Sequence, residues 1–156
     1  MKIFGKDLSE YVKFETGFLV LVLVVGLARL ILSLAGVPNA NVKFLSITIV
    51  FLLGTLYYSI KIFTSGFGSY KQILPVVALP VILGNIIIIA GIVLAIFTHK
   101  DNIFSSPEYA NHVDGKSWGH VGGHVIATIV VPLILWAIGC WFMFIGKKMD
   151  RGRRPA

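Results

Sequence analysis

Four long apolar blocks run along this chain, separated by short polar breaks. They cover about residues 17–36, 44–63, 73–97 and 121–145. Each holds about 20 residues or more. At ~1.5 Å per residue, that length crosses a hydrocarbon layer of about 30 Å. Backbone amides cannot stay unpaired in lipid, so spanning segments are helices or strands of a closed barrel. Barrel strands alternate in polarity over about ten residues, and runs such as "GNIIIIAGIVLAIF" do not alternate. The pattern predicts an all-α, polytopic membrane protein: a four-transmembrane-helix bundle forming one membrane domain over residues 1–156, without internal repeats.

Ahead of the first block stands "MKIFGKDLSEYVKFET". At about 100° per residue, Ile3, Phe4, Leu8, Tyr11 and Phe14 share one face, and Lys2, Lys6, Ser9 and Lys13 the other. This predicts an N-terminal amphipathic interfacial helix, with Asp7 and Glu15 interrupting its apolar side. On that reading Glu15 precedes the first span and no span contains an acid, which argues against a proton-coupled transporter. Ser33 to Ala35 would serve as a signal cleavage site. The long apolar region, and the acids Asp7, Glu10 and Glu15 before it, favour a retained span instead.

Composition agrees with the pattern. The chain is 56% hydrophobic and 13% charged, where a soluble domain carries about 25% charge. Its formal net charge is +7, and the basic residues are unevenly placed. With four spans, ten of the fourteen Lys and Arg fall on the side of the two termini, three on the other side, and Arg29 within a span. By the positive-inside rule both termini are cytoplasmic, in a cell membrane such as a bacterial inner membrane. No basic cluster alternates with aromatics, which argues against nucleic-acid binding. Cys140 is the single cysteine, so an intrachain disulfide and a four-thiolate metal site are excluded.

The third connection, about residues 98–120, is the long one, and loops beyond about 12–15 residues are usually functional or disordered. It contains Asp101, Glu108, Asp114, His99, His112 and His120, and His124 follows in "SWGHVGGH". On a helix, His120 and His124 point the same way and suit one metal ion. His112, His99 or a loop acid would complete the site, because zinc and copper accept imidazole and carboxylate. The other spans lack histidine, so a bis-histidine haem deep in the bundle needs a ligand from a partner chain. Two further readings stand beside this one. Gly119 and Gly123 form a G-x-x-x-G pair that lets helices approach closely, with Ser117 as the N-cap. Alternatively the histidines handle a proton or a ligand.

Arg29 lies about seven residues inside the end of the first span. A buried arginine needs a partner or a water path. Either it reaches outward to pair with Asp101 or Glu108, or it binds an anion such as a lipid headgroup or acidic substrate. Pro80 and Pro132 predict kinks in the third and fourth spans. There is no nucleophile elbow, H-E-x-x-H or P-loop.

The segment "LYYSIKIFTSGFGSYKQILPVVALPVILGNIIIIAGIVLAI", Leu56 to Ile96, resembles the middle of Yip-family integral membrane proteins. It shares a span, a glycine-containing loop, a "SYKQ"-like turn and a proline-bearing span. The resemblance implies a non-enzymatic membrane organiser with cytoplasmic termini, without catalytic residues. The expected function is a membrane organiser or accessory subunit of a larger complex, with lipids and other subunits or copies of itself as partners and no cofactor. The alternative is a redox-associated subunit binding a metal ion or haem through His120 and His124.

Overall fold

The computed structural model describes residues 2–106 and 114–151. Two short strands, β1 (Lys2–Ile3) and β2 (Lys6–Asp7), precede five helices: α1 (Leu8–Leu34), α2 (Asn39–Val42), α3 (Ile47–Thr64), α4 (Tyr70–Thr98) and α5 (Trp118–Arg151). Four helical segments are long and apolar enough to cross a membrane, the second of them running over Asn39–Thr64. The four predicted blocks therefore each correspond to a long helix.

The leader departs from the expected interfacial helix over its first residues: helix starts only at Leu8 and continues across a kink at Glu15 into the first long helix. The first residues form an antiparallel hairpin in which Lys2 faces Asp7 and Ile3 faces Lys6. Phe4 and Gly5 both have positive φ, 48° and 87°, as a tight two-residue hairpin turn requires. Asp7 then opens α1 through a capping box with Glu10, whose carboxylate accepts from the Asp7 amide at 2.7 Å. Tyr11 donates to the Ile3 carbonyl at 2.9 Å, and Gln72 of α4 donates to the Phe4 carbonyl at 2.8 Å. Ile3, Tyr11 and Phe14 of the leader thus pack against the bundle core, while Phe4 and Leu8 stay exposed.

α4 is the central element and packs against α1, α3 and α5. Half (50%) of its most apolar stretch is buried inside the chain, against 17% for α5. It runs as one helix through Pro75 and Pro80. Within α1, by contrast, Glu15 departs from helical geometry (φ −121°, ψ 17°).

In an apolar solvent helices gain little from hydrophobic burial, so close backbone approach and van der Waals contact matter more. Among the glycines that provide this approach are Gly54, whose missing side chain is replaced by the Phe18 ring, Gly84, which admits Phe51, and Gly139, which leaves room for Ile73 and Ser59. The G-x-x-x-G pair does not do so within the chain. Gly122 and Gly123 have nothing within 4 Å of a virtual side chain, and all three glycines of the motif are exposed. Ser117 does cap α5, accepting from the His120 amide at 3.2 Å.

Gly54→Ala should push Phe18 out of its seat. Overpacking costs about 1–3 kcal/mol, and a chain of this size loses roughly 3–10 °C in thermal midpoint. Gly17→Ala, with open space around it, should leave the midpoint unchanged or raise it. Thermal unfolding of the two variants in detergent checks the contrast.

Candidate functional site

The buried face of α1 carries Tyr11, Glu15, Phe18, Val22, Val25 and Arg29. Their spacing alternates four and three residues, which keeps all six on one stripe. Two of the six carry a carboxyl or guanidinium group, Glu15 near one end of the bundle and Arg29 near the other.

Arg29 is 7% exposed. Its guanidinium donates to the carbonyls of Val42 and Leu45 and to the Asn39 side-chain oxygen. These groups belong to α2 and the turn after it, so one side chain ties α1 to the α1–α3 connection. All three acceptors are neutral. The acids expected to meet Arg29 are placed differently. Asp101 pairs with Lys116 at 2.9 Å, and Glu108 lies outside the described residues. The Asp101 hydrogen bond, with its charge, holds the Lys116 ammonium above the usual lysine value. Among the described residues Arg29 forms no ion pair.

The connection after α4 folds back over the bundle. Asn102 is buried and donates to the Gly91 carbonyl at 2.7 Å, while its own side-chain oxygen accepts from the Phe104 amide at 2.9 Å. This seats Phe104 against Gly91. The Lys116–Asp101 pair then closes the connection at the start of α5.

His120 and His124 are brought together, with ring centroids 5.1 Å apart. His120 Nδ1 meets the Gly115 carbonyl at 2.9 Å, and His124 Nδ1 meets the Asn85 side-chain oxygen at 3.0 Å. Carbonyl oxygens only accept, so each Nδ1 is the donor and each Nε2 is left for another partner. His99 is exposed, and His112 lies outside the described residues. Among the described residues no group of three His, Cys, Asp or Glu could hold a metal.

Both histidines and Arg29 line one pocket of about 230 Å³, whose wall includes Ser46, Ile47 and Thr48 at the start of α3. A second pocket of about 150 Å³ also borders Arg29 and is lined by Asn39 and Asp101. The sequence had named Arg29 and the two histidines separately. Only the fold unites them, together with the N-terminus of α3.

Glu15 is the residue that sequence reading misplaced. It belongs to α1, is fully buried, and neither carboxyl oxygen has a hydrogen-bond partner among the described residues. The expectation that the long helices are free of acids is therefore corrected, and the absence of such an acid no longer weighs against proton handling. Spacing carried the signal, because Glu15 stands in register with Tyr11, Phe18 and Val22. Continuing α1 back to the Asp7 capping box would have shown this.

Comparison with protein-family models, curated proteins and solved structures returned no match.

The buried guanidinium and carboxyl should act oppositely on stability. Arg29→Leu leaves three oxygens without their donor, at about 1–3 kcal/mol for each buried unsatisfied group, and should lower the thermal midpoint by at least several degrees. Glu15→Leu removes two unsatisfied oxygens and should raise it. Differential scanning fluorimetry of both variants reads the signs. A loss of stability in Glu15→Leu would mean that the carboxyl has a stabilising partner.

Proposed function

We propose that this chain is a non-enzymatic integral membrane protein that works as an accessory subunit or organiser within a larger membrane assembly. The observation that supports this most is the surface of α5. Only 17% of its most apolar stretch is buried inside the chain, and Gly119, Gly122 and Gly123 lie exposed on it. Small residues at that spacing suit a second transmembrane helix, and among the described residues no helix of this chain fills the place. The partner is another subunit or a second copy, and lipids cover the remaining apolar surface. The excess of Lys and Arg on the side of the termini supports a cell membrane, such as a bacterial inner membrane, with both termini in the cytoplasm. The Yip-family resemblance of Leu56 to Ile96 supports the same non-catalytic role.

Mild-detergent extraction of the tagged full chain from native membranes tests this reading. The expected result is a stoichiometric complex or oligomer that the double variant Gly122→Leu, Gly123→Leu disrupts, with the thermal midpoint of the isolated chain unchanged. A wild-type chain that runs as a monomer at every concentration would overturn it.

A second reading is favoured by the histidine geometry. Two rings that donate through Nδ1 and keep Nε2 in reserve are oriented as metal-binding histidines are. Arg29 in the same pocket opposes a cation, and further ligands must come from residues 107–113 or from a partner. Under this reading the purified protein carries a stoichiometric metal or a Soret band that is lost in His120→Ala and His124→Ala. Metal analysis and absorption spectra decide, and a metal-free, colourless native preparation excludes it.

A further inference from the structure

We propose that the pocket shared by Arg29, His120 and His124 is a phosphate site that holds the headgroup of an anionic phospholipid. The inference starts from charge. An arginine that is only 7% exposed normally faces a carboxylate. Among the described residues Arg29 faces only the neutral oxygens of Val42, Leu45 and Asn39, while the nearby acid Asp101 is taken by Lys116. The positive charge is therefore anchored without being neutralised, and it borders the pocket of about 230 Å³.

The other donors converge there from two helix beginnings. Ser46 is the N-cap of α3, and Thr48 lies in its first turn. His120 lies in the first turn of α5. Helix N-termini favour anions through their free amides and dipole. Each histidine keeps Nε2 for a ligand oxygen, as donor when the ring is charged or as acceptor from a protonated phosphate. Arginine, hydroxyl and imidazole groups from three directions suit a tetrahedral anion with several oxygens better than a planar carboxylate.

The remaining wall is apolar and includes Ile47, Ile88 and Phe104. Arg29 stands five residues before the end of α1 at Leu34, about 8 Å along the axis. In a membrane, α1 matches the whole bilayer thickness of about 40–45 Å, so this depth is where headgroup gives way to acyl chain. Free phosphate offers the same oxygens but nothing to cover the apolar wall.

The test uses the purified full chain in nanodiscs of phosphatidylcholine with increasing phosphatidylglycerol, and separately with inorganic phosphate at equal phosphate concentration. Thermal midpoint and native mass spectrometry report binding. The expected result is saturable binding of phosphatidylglycerol, at least tenfold weaker in Arg29→Gln. Lys43→Gln removes one exposed charge and should weaken binding less than twofold, which separates the site from general attraction to a basic protein. Because Arg29→Gln is also expected to destabilise the fold, Ile88→Trp serves as a second variant. It fills the pocket, keeps Arg29, and should also weaken binding tenfold. Equal binding by wild type and Ile88→Trp overturns the proposal. Equal protection by inorganic phosphate overturns the lipid source and assigns the site to a soluble phosphate.

Discussion

The α1 stripe does two jobs that normally conflict. It packs the first helix onto α3 and α4, and it carries a carboxyl and a guanidinium group into the interior. In an apolar surrounding an unsatisfied polar group costs several kcal/mol, so the rest of the structure must answer for both residues. Arg29 is answered by backbone, because the short α2 turn brings the Val42 and Leu45 carbonyls and the Asn39 side chain to it. This fixes where α3 begins, and with it the position of Ser46 and Thr48. Glu15 has no such answer among the described residues. It coincides with the one recorded break of helical geometry in α1, so the helix is least regular where its polar burden is least satisfied.

α4 makes this arrangement possible because it is lined on three sides by other helices. Its apolar sequence needs no polar face, and its few polar groups are committed locally. Asn85 accepts from His124, and the Gly91 carbonyl receives Asn102. These two bonds lie in the C-terminal half of α4, fixing α5 and the connection between α4 and α5 against it. The pocket at Arg29 is the space left where α1, α3, α5 and that connection meet.

The four long helices were legible in the sequence because length and hydropathy are sufficient where lipid forbids unpaired backbone. Helix limits differ from the expected ones by a few residues, except at α1, which starts at Leu8 instead of about Gly17. The error there had a physical source. Hydrophobic periodicity does not distinguish an interfacial helix from the first turns of a longer buried one, and the Phe4–Gly5 turn and the Asp7–Glu10 capping box were stronger signals. The glycines of "SWGHVGGH" illustrate a different limit. Their spacing says that a helix can come close, but not which one, and within this chain glycines such as Gly54, Gly84 and Gly139 do that work. The meeting of Arg29 with His120 and His124 was invisible, since it depends on how three helices and a folded-back connection pack.

The placement of charge gives the pocket its chemical character. His120, His124 and Arg29 are all cationic or neutral, and Asp101, which lines the neighbouring pocket with Arg29, pairs with Lys116. A cation entering this space would meet an uncompensated guanidinium, whereas an anion would supply the charge that the fold withholds. Structural explanations of Arg29 account for three of its five donors, which neutral oxygens accept, but they leave its charge unanswered. At an effective dielectric of about 20, opposite charges 4 Å apart attract by about 4 kcal/mol. Among the described residues the fold forgoes that attraction, so the charge of Arg29 favours an anion over a cation in this space.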